Sequence, residues 1–594
     1  MAVNRRSEAY RRRVDAAQLA RDRVHPPHLA NGDEQRWSSS NYAMCFTKGL
    51  PHSSATGLIE DGTDFEAFRR AIDEGFIDAF TLNVPTGGPG PHCTPERKWE
   101  APTAGVVYDL EGPDAQAVTM PPAPPLGSAE LAYEMAEVYE LALLRDTPLT
   151  DLRGLTEEAP DSVRDAVERL NDLSYKPAAG QGRPRKTDGG GGVTAQTVFR
   201  GSSPGVEVGP YLSQFMLIGN DDLRGTDTAP DAVAAESGRI QFGANLIDQR
   251  VPVAAPTDWM TTRSTWLSVQ QGADVRNNAT LFDQTVPRRF ITTPRDLATY
   301  VHDDALYQAY LNACLILLSM GAPFDRGFAQ LSGQRDPYRP GGAVPLQATG
   351  FALYGGPHIL TLVTEVATRA LKAVRHQKFN VHIRLRPEAL AGRIDYAMDG
   401  SLDASFPAAA AAFRALEEEI HPTVEAVRAV TGTRLLPMAF QEGSPMHPAY
   451  GAGHATVAGA CVTVLKAFFD TSTPMVSRAR AGADAQIGFL APAGAGEVDT
   501  PIQYVATEDG ASLAAEEPGT PLTLEGELNK LAANISIGRN MGGVHYFTDY
   551  FDSLRMGEEI AVGMLEEHAI CFPTDPFVLT VPTYDGGVRR IGAL

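Results

Sequence analysis

At 594 residues, with 43% apolar and 21% charged side chains, the chain has ordinary globular composition and enough length to bury a large core, which excludes disorder of the whole polypeptide. Its net charge of −22 excludes an extended nucleic-acid or anionic-membrane surface, because neutralising phosphates needs clustered Lys and Arg. Any anion must be bound locally.

In chain order, the one basic run, "NRRSEAYRRRVDAAQLARDR" (4–23), has helical spacing and predicts a solvated amphipathic helix; no apolar h-region follows it, so no secretory signal is expected. The first two hundred residues are rich in Pro and Gly, as in "NVPTGGPGPHCTPERKW" and "MPPAPPLGS", with a helical patch at "SAELAYEMAEVYELALLRD" (128–146). Four consecutive glycines in "KTDGGGGVTAQ" (186–196) predict a flexible loop, the strongest candidate for disorder in the chain. The five cysteines show no CxxC spacing, so a thiolate metal site is not expected. Cys314 and Cys461 fall in apolar helical patterns and read as core thiols, whereas Cys45 and Cys93 lie in polar sequence and stay open to pairing. No stretch has the length of an uncharged membrane span, and the expected compartment is cytoplasmic.

From about residue 295 the character changes. "TPRDLATYVHDDALYQAYLNACLILLSMGAPF" (293–324) opens on a Thr-Pro start signal, carries apolar residues at three- and four-residue intervals, and predicts one long buried helix. Further helices are predicted at 357–379, 403–432, 456–470, 524–540 and 552–569, and convincing alternating strands are few. The expected fold is mainly α: helical bundles, with two four-helix-bundle-like cores, and an irregular Pro/Gly-rich N-terminal segment. The expected organisation is a wrapping segment over 1–294 with some helices, and a helical-bundle catalytic region over 295–594.

Three clusters carry candidate chemistry. In "AVRHQKFNVHIRLRPEAL", Arg375 and Lys378 share a face of a predicted helix, and Arg386 stands before Pro387, where that helix is expected to end. A solvated basic stripe explains this cluster as well. "GAGHATVAG" supplies a flexible turn and then a helix start whose free N–H groups suit an anion, with Gly453 permitting close approach and His454 beside it as a proton donor or acceptor. A capping turn with a surface histidine explains that cluster about as often. In "GRNMGGVHYFTD", His545 and Asp549 at i, i+4 can meet on a helical face, and Gly542 and Gly543 relax the backbone so that Arg539 points the same way. A core histidine satisfied by its own aspartate is the alternative. Together the clusters specify a site for a tetrahedral or trigonal-bipyramidal oxyanion.

The order Lys-x7-Arg-Pro, Gly-His at a helix start, then Arg-x5-His-x3-Asp resembles the vanadium-dependent haloperoxidases and, more distantly, the acid phosphatases that share their anion pocket. "QKFNVHIRLRPEALAG", "GSPMHPAYGAGHAT" and "IGRNMGGVHYFTD" resemble the algal and cyanobacterial bromoperoxidase branch beyond the ligand positions, over about residues 295 to 570, and "GPYLSQFML" extends the similarity toward the N-terminal half. The resemblance implies a vanadate cofactor bound directly by His545, with Lys378, Arg386, Arg539 and the Gly453 amide on its oxygens. It also implies His454 as the proton-moving group, with His447 and Arg375 helping to place halide or to tune the bound peroxide. Implied partners are halide, hydrogen peroxide and a small organic acceptor, together with further copies of the chain in a dimer or a larger assembly of dimers, and no nucleic acid or membrane. A structural calcium ion is a further candidate.

One departure stands out: the family commonly has Pro-Ser-Gly-His where this chain has Gly451-Ala452-Gly453-His454, and the Ser hydroxyl that bonds the anion is missing. Two rivals follow. A phosphatase of the same pocket would use His545 as nucleophile and His454 as proton donor; a non-catalytic assembly protein would carry a decayed pocket.

Overall fold

The computed structural model describes residues 4–82, 96–154, 156–178, 182–220, 235–332, 350–480, 483–572 and 578–592. Its principal helices are α1 Arg5–Asp22, α2 Ala129–Leu143, α3 Asp161–Asp172, α4 Pro294–Tyr300, α5 Gln308–Met320, α6 Gly356–Arg375, α7 Pro387–Met398, α8 Pro407–Thr431, α9 Gly453–Phe468, α10 Leu524–Met541 and α11 Phe547–Ile570. Strands among the described residues are short and antiparallel. They form three two-stranded ribbons and a three-stranded sheet in which Met475–Arg480 lies between Ala483–Phe489 and Glu497–Pro501.

Helices α6, α9, α10 and α11 pack as one four-helix group with α9 at its centre, against the other three. Every residue of α9 except His454 is buried, as expected of a helix that is apolar all round. Its approach to α11 is close because glycines face each other there. A Cβ on Gly459 would stand 2.0 Å from the Leu554 carbonyl oxygen, and one on Gly557 would stand 2.1 Å from that of Thr456. Helices α2, α3, α7 and α8 form a second group, and α2 also touches α10 and α11. One apolar core runs from Trp37 to Ile591 through both groups.

The expected single helix over 293–324 is instead two, α4 and α5, separated at Val301–Tyr307. Helix α4 starts as predicted, with Pro294 in its first turn and a capping box between Thr293 and Asp296. It ends where polar groups are drawn elsewhere: the Val301 carbonyl accepts from Arg539, and the Asp304 carboxylate reaches His454. The basic N-terminal run is a helix, but an amphipathic face is absent: α1 buries no residue, and its Tyr10 and Val14 are exposed. The four-glycine stretch forms a closed turn, with Asp188 N–H donating to the Gly192 carbonyl and Gly190 N–H to Asp188 Oδ1. Cys45, Cys314 and Cys461 are buried free thiols; Cys93, the other candidate for pairing, lies outside the described residues. Among the described residues no helix is long and apolar enough to cross a membrane.

Candidate active site

Helix α6 ends at Arg375, and the next seven residues, His376–His382, form a π-helical turn. Lys378 therefore sits in a widened turn and does not continue the α-helical face of Arg375. Ile383 takes a left-handed φ of 46°, reversing the chain, and Arg386 becomes the N-cap of α7. Pro387 thus opens a helix where the sequence suggested that one ends. Both readings use the same physics, since Pro pushes its predecessor to extended backbone, here φ −81° and ψ 157°, and its missing N–H costs nothing in a first helical turn.

This turn delivers two fully buried cations to the loop that precedes α9. Lys378 Nζ donates to the carbonyls of Pro448 at 2.7 Å and Ala449 at 3.0 Å. Arg386 Nε donates to the His447 carbonyl at 3.0 Å and Nη2 to His447 Nδ1 at 2.7 Å. Its Nη1 donates to the Val544 carbonyl at 2.7 Å and faces His545 Nε2 at 3.0 Å. One guanidinium therefore ties the His447 loop to the His545 loop.

The His545 loop follows α10. Gly543, with φ 83°, closes a tight turn in which Val544 N–H returns to the Arg539 carbonyl at 3.1 Å. That turn brings His545 back beside Arg539. His545 and Asp549 meet, though not on a helical face: His545 lies before α11, Tyr546 is the N-cap, and Asp549 is in the first turn. Asp549 Oδ2 accepts from His545 Nδ1 at 2.7 Å and from Tyr546 N–H at 3.0 Å. With Nδ1 as the donor, Nε2 accepts from Arg386 Nη1, and a ligand on Nε2 would take the place of that hydrogen bond. Behind Asp549, Arg384 donates to Asp549 Oδ1 and to Thr548 and pairs with Glu134 of α2, so the N-terminal half braces the imidazole.

His454 is in the first turn of α9, and its Nε2 lies 2.8 Å from Asp304 Oδ1 in the break between α4 and α5. Burial works against ionisation of Asp304, but His454 and Arg539 outweigh it and hold the carboxyl below the ordinary range. Ala452, the N-cap, provides no side-chain hydrogen bond. The N–H groups of Gly453, His454 and Ala455 consequently head the helix with no protein acceptor among the described residues. A Cβ on Gly453 would meet only Leu371 Cδ2, at 3.9 Å, so the space in front of this helix start is open. Toward solvent, Arg375 Nη2 and His447 Nε2 lie 3.8 and 3.4 Å from Glu100 Oε2.

The charge balance is unusual. Some buried arginines elsewhere pair with carboxylates, Arg185 with Glu137 and Arg384 with Glu134 and Asp549, while others, Arg200 and Arg393, stand singly on backbone carbonyls. Lys378, Arg386 and Arg539 are buried together, and none has a carboxylate within ion-pair distance among the described residues. Arg539 Nε has no hydrogen-bond partner among the described residues. Desolvation, then Arg386 and Arg375, holds Lys378 well below its ordinary pKa. Desolvation also lowers Arg386, to about 9, and Arg539. Burial lowers His545, His447 and His454 too, and the same cations press on them: Arg386 and Lys378 on His545, Arg375, Lys378 and Arg386 on His447, Arg539 and Lys378 on His454. Arg386 and Lys378 thus lie within electrostatic reach of His545 and His447, and Lys378 and Arg539 within reach of His454. Each shift is the response of a cation to burial without an anion, and a bound oxyanion would reverse it.

Sequence reasoning missed Asp304, Glu100, Arg384 and Glu134. The "HDD" of 302–304 was hidden inside a predicted helix, and nothing local marks the other three. Two open clefts, of about 550 and 320 Å³, contain none of these groups; they adjoin each other beside Arg153. The described residues contain one trio of metal-capable side chains, Glu417, His421 and Glu425 of α8, in which an imidazole sits between carboxylates that face Arg434. That is not the all-oxygen cage calcium prefers.

Three comparisons bear on this arrangement. The family model for the VCPO second helical-bundle domain matches residues 422–571, which contain the α9, α10 and α11 clusters. The vanadium-dependent bromoperoxidases of Corallina pilulifera and Corallina officinalis are each 40% identical to this chain, over 99% of it and 98% of their own length. Among solved structures, the homohexameric second vanadate-dependent bromoperoxidase (AnII) from Ascophyllum nodosum superposes with a TM-score of 0.74 at 26% identity, covering 99% of this chain and 91% of that one. At 40% identity over nearly the whole of both chains, the chain belongs to the vanadium-dependent haloperoxidases, on their bromoperoxidase branch.

Proposed function

We propose that this protein is a vanadate-dependent bromoperoxidase that uses hydrogen peroxide to oxidise bromide or iodide to a hypohalous-acid equivalent, which halogenates small organic acceptors. The observation that supports the proposal is the set of three buried cations without an ion-paired carboxylate, of which Arg386 faces His545 Nε2 at 3.0 Å and feels the charges of Lys378 and Arg539. The residues present fit the cofactor: an oxyanion would satisfy Arg539 Nε and the free N–H groups at the start of α9, and would occupy the open space before Gly453.

In this assignment His545 Nε2 is the metal ligand, oriented by Asp549. Lys378, Arg386, Arg539 and the Gly453 N–H hold the oxygens and neutralise their charge. Bound vanadate supplies a Lewis-acidic centre that activates peroxide toward halide. His454 keeps Nε2 on Asp304, which leaves Nδ1 to take and return protons at the anion. The buried walls exclude water, so each cation acts through a low local dielectric. Arg375 and His447 stand nearer solvent, on the side where a halide enters. The assignment places catalysis in 295–594, with 1–294 as the wrapping segment that braces the site through Glu134.

Association of several copies belongs to the same proposal. Phe76, Ile77, Tyr108 and Leu110 are largely exposed, and Val106 lies against Gly75, which sets the two stretches side by side as a patch suited to a second copy. The unpaired thiols of Cys45, Cys314, Cys461 and Cys571 suit a reducing, cytoplasmic compartment.

The test is protein reconstituted with orthovanadate and assayed with bromide, peroxide and an organic halogen acceptor, in parallel with a chromogenic phosphate ester. Halogenation is the expected result. Ester cleavage without halogenation would assign the pocket to a phosphatase, and saturable vanadate binding with neither activity would leave a binding protein.

A further inference from the structure

Glu100 is a half-exposed carboxylate beside Arg375 and His447, whereas Asp549 and Asp304 are buried against His545 and His454. Its main chain is fixed: Glu100 N–H donates to the Met446 carbonyl at 3.0 Å. Just before it, Trp99 Nε1 donates to the Lys48 carbonyl at 3.0 Å, and Arg97 donates to the carbonyls of Glu442 and Ser444. Ala101 follows with a left-handed φ of 48°, a backbone state that a non-glycine residue holds only under constraint.

The side chain is not fixed in this way. Its Oε2 stands 3.4 Å from His447 Nε2 and 3.8 Å from Arg375 Nη2, beyond good hydrogen-bond distance to either. It is 45% exposed, while Arg375 and His447 are 13% and 8% exposed. Its charge reaches inward and offsets a small part of the lowering that burial imposes on Lys378, Arg386 and Arg539. A half-exposed carboxylate on a hydrogen-bonded backbone thus faces Arg375 and His447.

We propose that Glu100 sets the halide affinity of the enzyme: its carboxylate takes the place beside Arg375 and His447 that an entering halide needs, and halide binds by displacing it. The inference rests on the bromoperoxidase reading for the identity of the anion. The other carboxylates near the cup cannot play this part, because Asp549 and Asp304 are buried and engaged by His545 and His454. Glu442 and Asp303 lie on the Arg539 side, next to His302. Glu100 acts on the halide through Arg375 and His447 and is therefore a positioning residue.

The test uses full-length protein loaded with orthovanadate, as parent, Glu100→Gln and Glu100→Asp. Removing one negative charge next to the entering anion, at a half-exposed position, is expected to lower the bromide KM of Glu100→Gln by roughly tenfold, with kcat changing less than KM. Glu100→Asp keeps the charge and should stay close to the parent. Direct bromide binding, read from the bromine NMR line width of the same samples, should tighten in parallel. A bromide KM and binding constant that are unchanged or weaker in Glu100→Gln would overturn the proposal and make Glu100 a clasp for Arg375 and His447. If the parent fails to halogenate, the bromoperoxidase reading fails, and the binding measurement alone decides the role of Glu100.

Discussion

Ala452 heads α9 with φ −85° and ψ 125°, is 1% exposed and offers the helix no acceptor. Its own N–H is pinned to Ser553 Oγ at 2.8 Å, so a substitution there leaves the backbone in place. Ala452→Ser adds one hydroxyl with two uses. As an N-cap it accepts from His454 or Ala455 N–H, contributing about 0.5 to 2 kcal/mol to the vanadate-free fold. As a donor to the bound anion it adds a charge-assisted hydrogen bond of about 1.5 to 3 kcal/mol. The second effect alone tightens vanadate binding about ten- to a hundredfold. Calorimetric titration with orthovanadate reads the affinity, and thermal unfolding of the vanadate-free protein reads the cap. The predicted result is a higher unfolding temperature together with a vanadate Kd at least tenfold lower. A stabilised protein whose vanadate Kd stays within threefold of the parent would refute the reasoning, because the hydroxyl would then serve the helix alone and the oxygens would have no vacancy at that point.

Asp549→Asn removes a carboxylate that holds the His545 tautomer, and vanadate affinity by calorimetry should fall about ten- to a hundredfold. Breaking its buried pair with Arg384 should also cost about 3 kcal/mol of stability, measurable by chemical unfolding. Asp304→Asn leaves the cations intact, so vanadate Kd should change little while bromide turnover falls at least about tenfold, through loss of oriented proton transfer at His454. Vanadate binding should take up protons. In the vanadate-free pocket the Lys378 pKa is depressed, so the ammonium loses its proton as pH rises through that value; the anion raises it again, and affinity falls with rising pH over the same window. Calorimetry in buffers of different ionisation enthalpy reads the uptake, which should be smaller in Lys378→Met. Uptake equal in the two proteins would assign it to the anion itself.

Much of the fold was readable because apolar residues repeat with helical spacing: α6, α8, α9, α10 and α11 all stand near their expected places. The site was readable where ligand residues sit in short motifs. Arg386 meets His545 and His447, and Lys378 and Arg539 act on Arg386 and His454, although two local expectations failed for reasons that propensity does not encode. The π-helical turn at His376–His382 depends on tertiary packing, and Pro387 marks a helix start or a helix end with equal local logic. The break at Val301–Tyr307 was hidden because its polar groups are satisfied by partners more than a hundred residues away, Arg539 and His454. Asp304, Glu134, Arg384 and Glu100 share that character, since each acquires its role only from a distant neighbour.

The central claim is that His545 Nε2 and three uncompensated cations form one oxyanion site. Equilibrium titration of the full chain with orthovanadate, beside His545→Ala, tests it most directly. The account predicts saturation at about one vanadate per chain in the parent and a loss of at least about a hundredfold in affinity in the variant, with an unchanged circular dichroism spectrum. No saturable binding in the parent, or equal binding in both proteins, would contradict it.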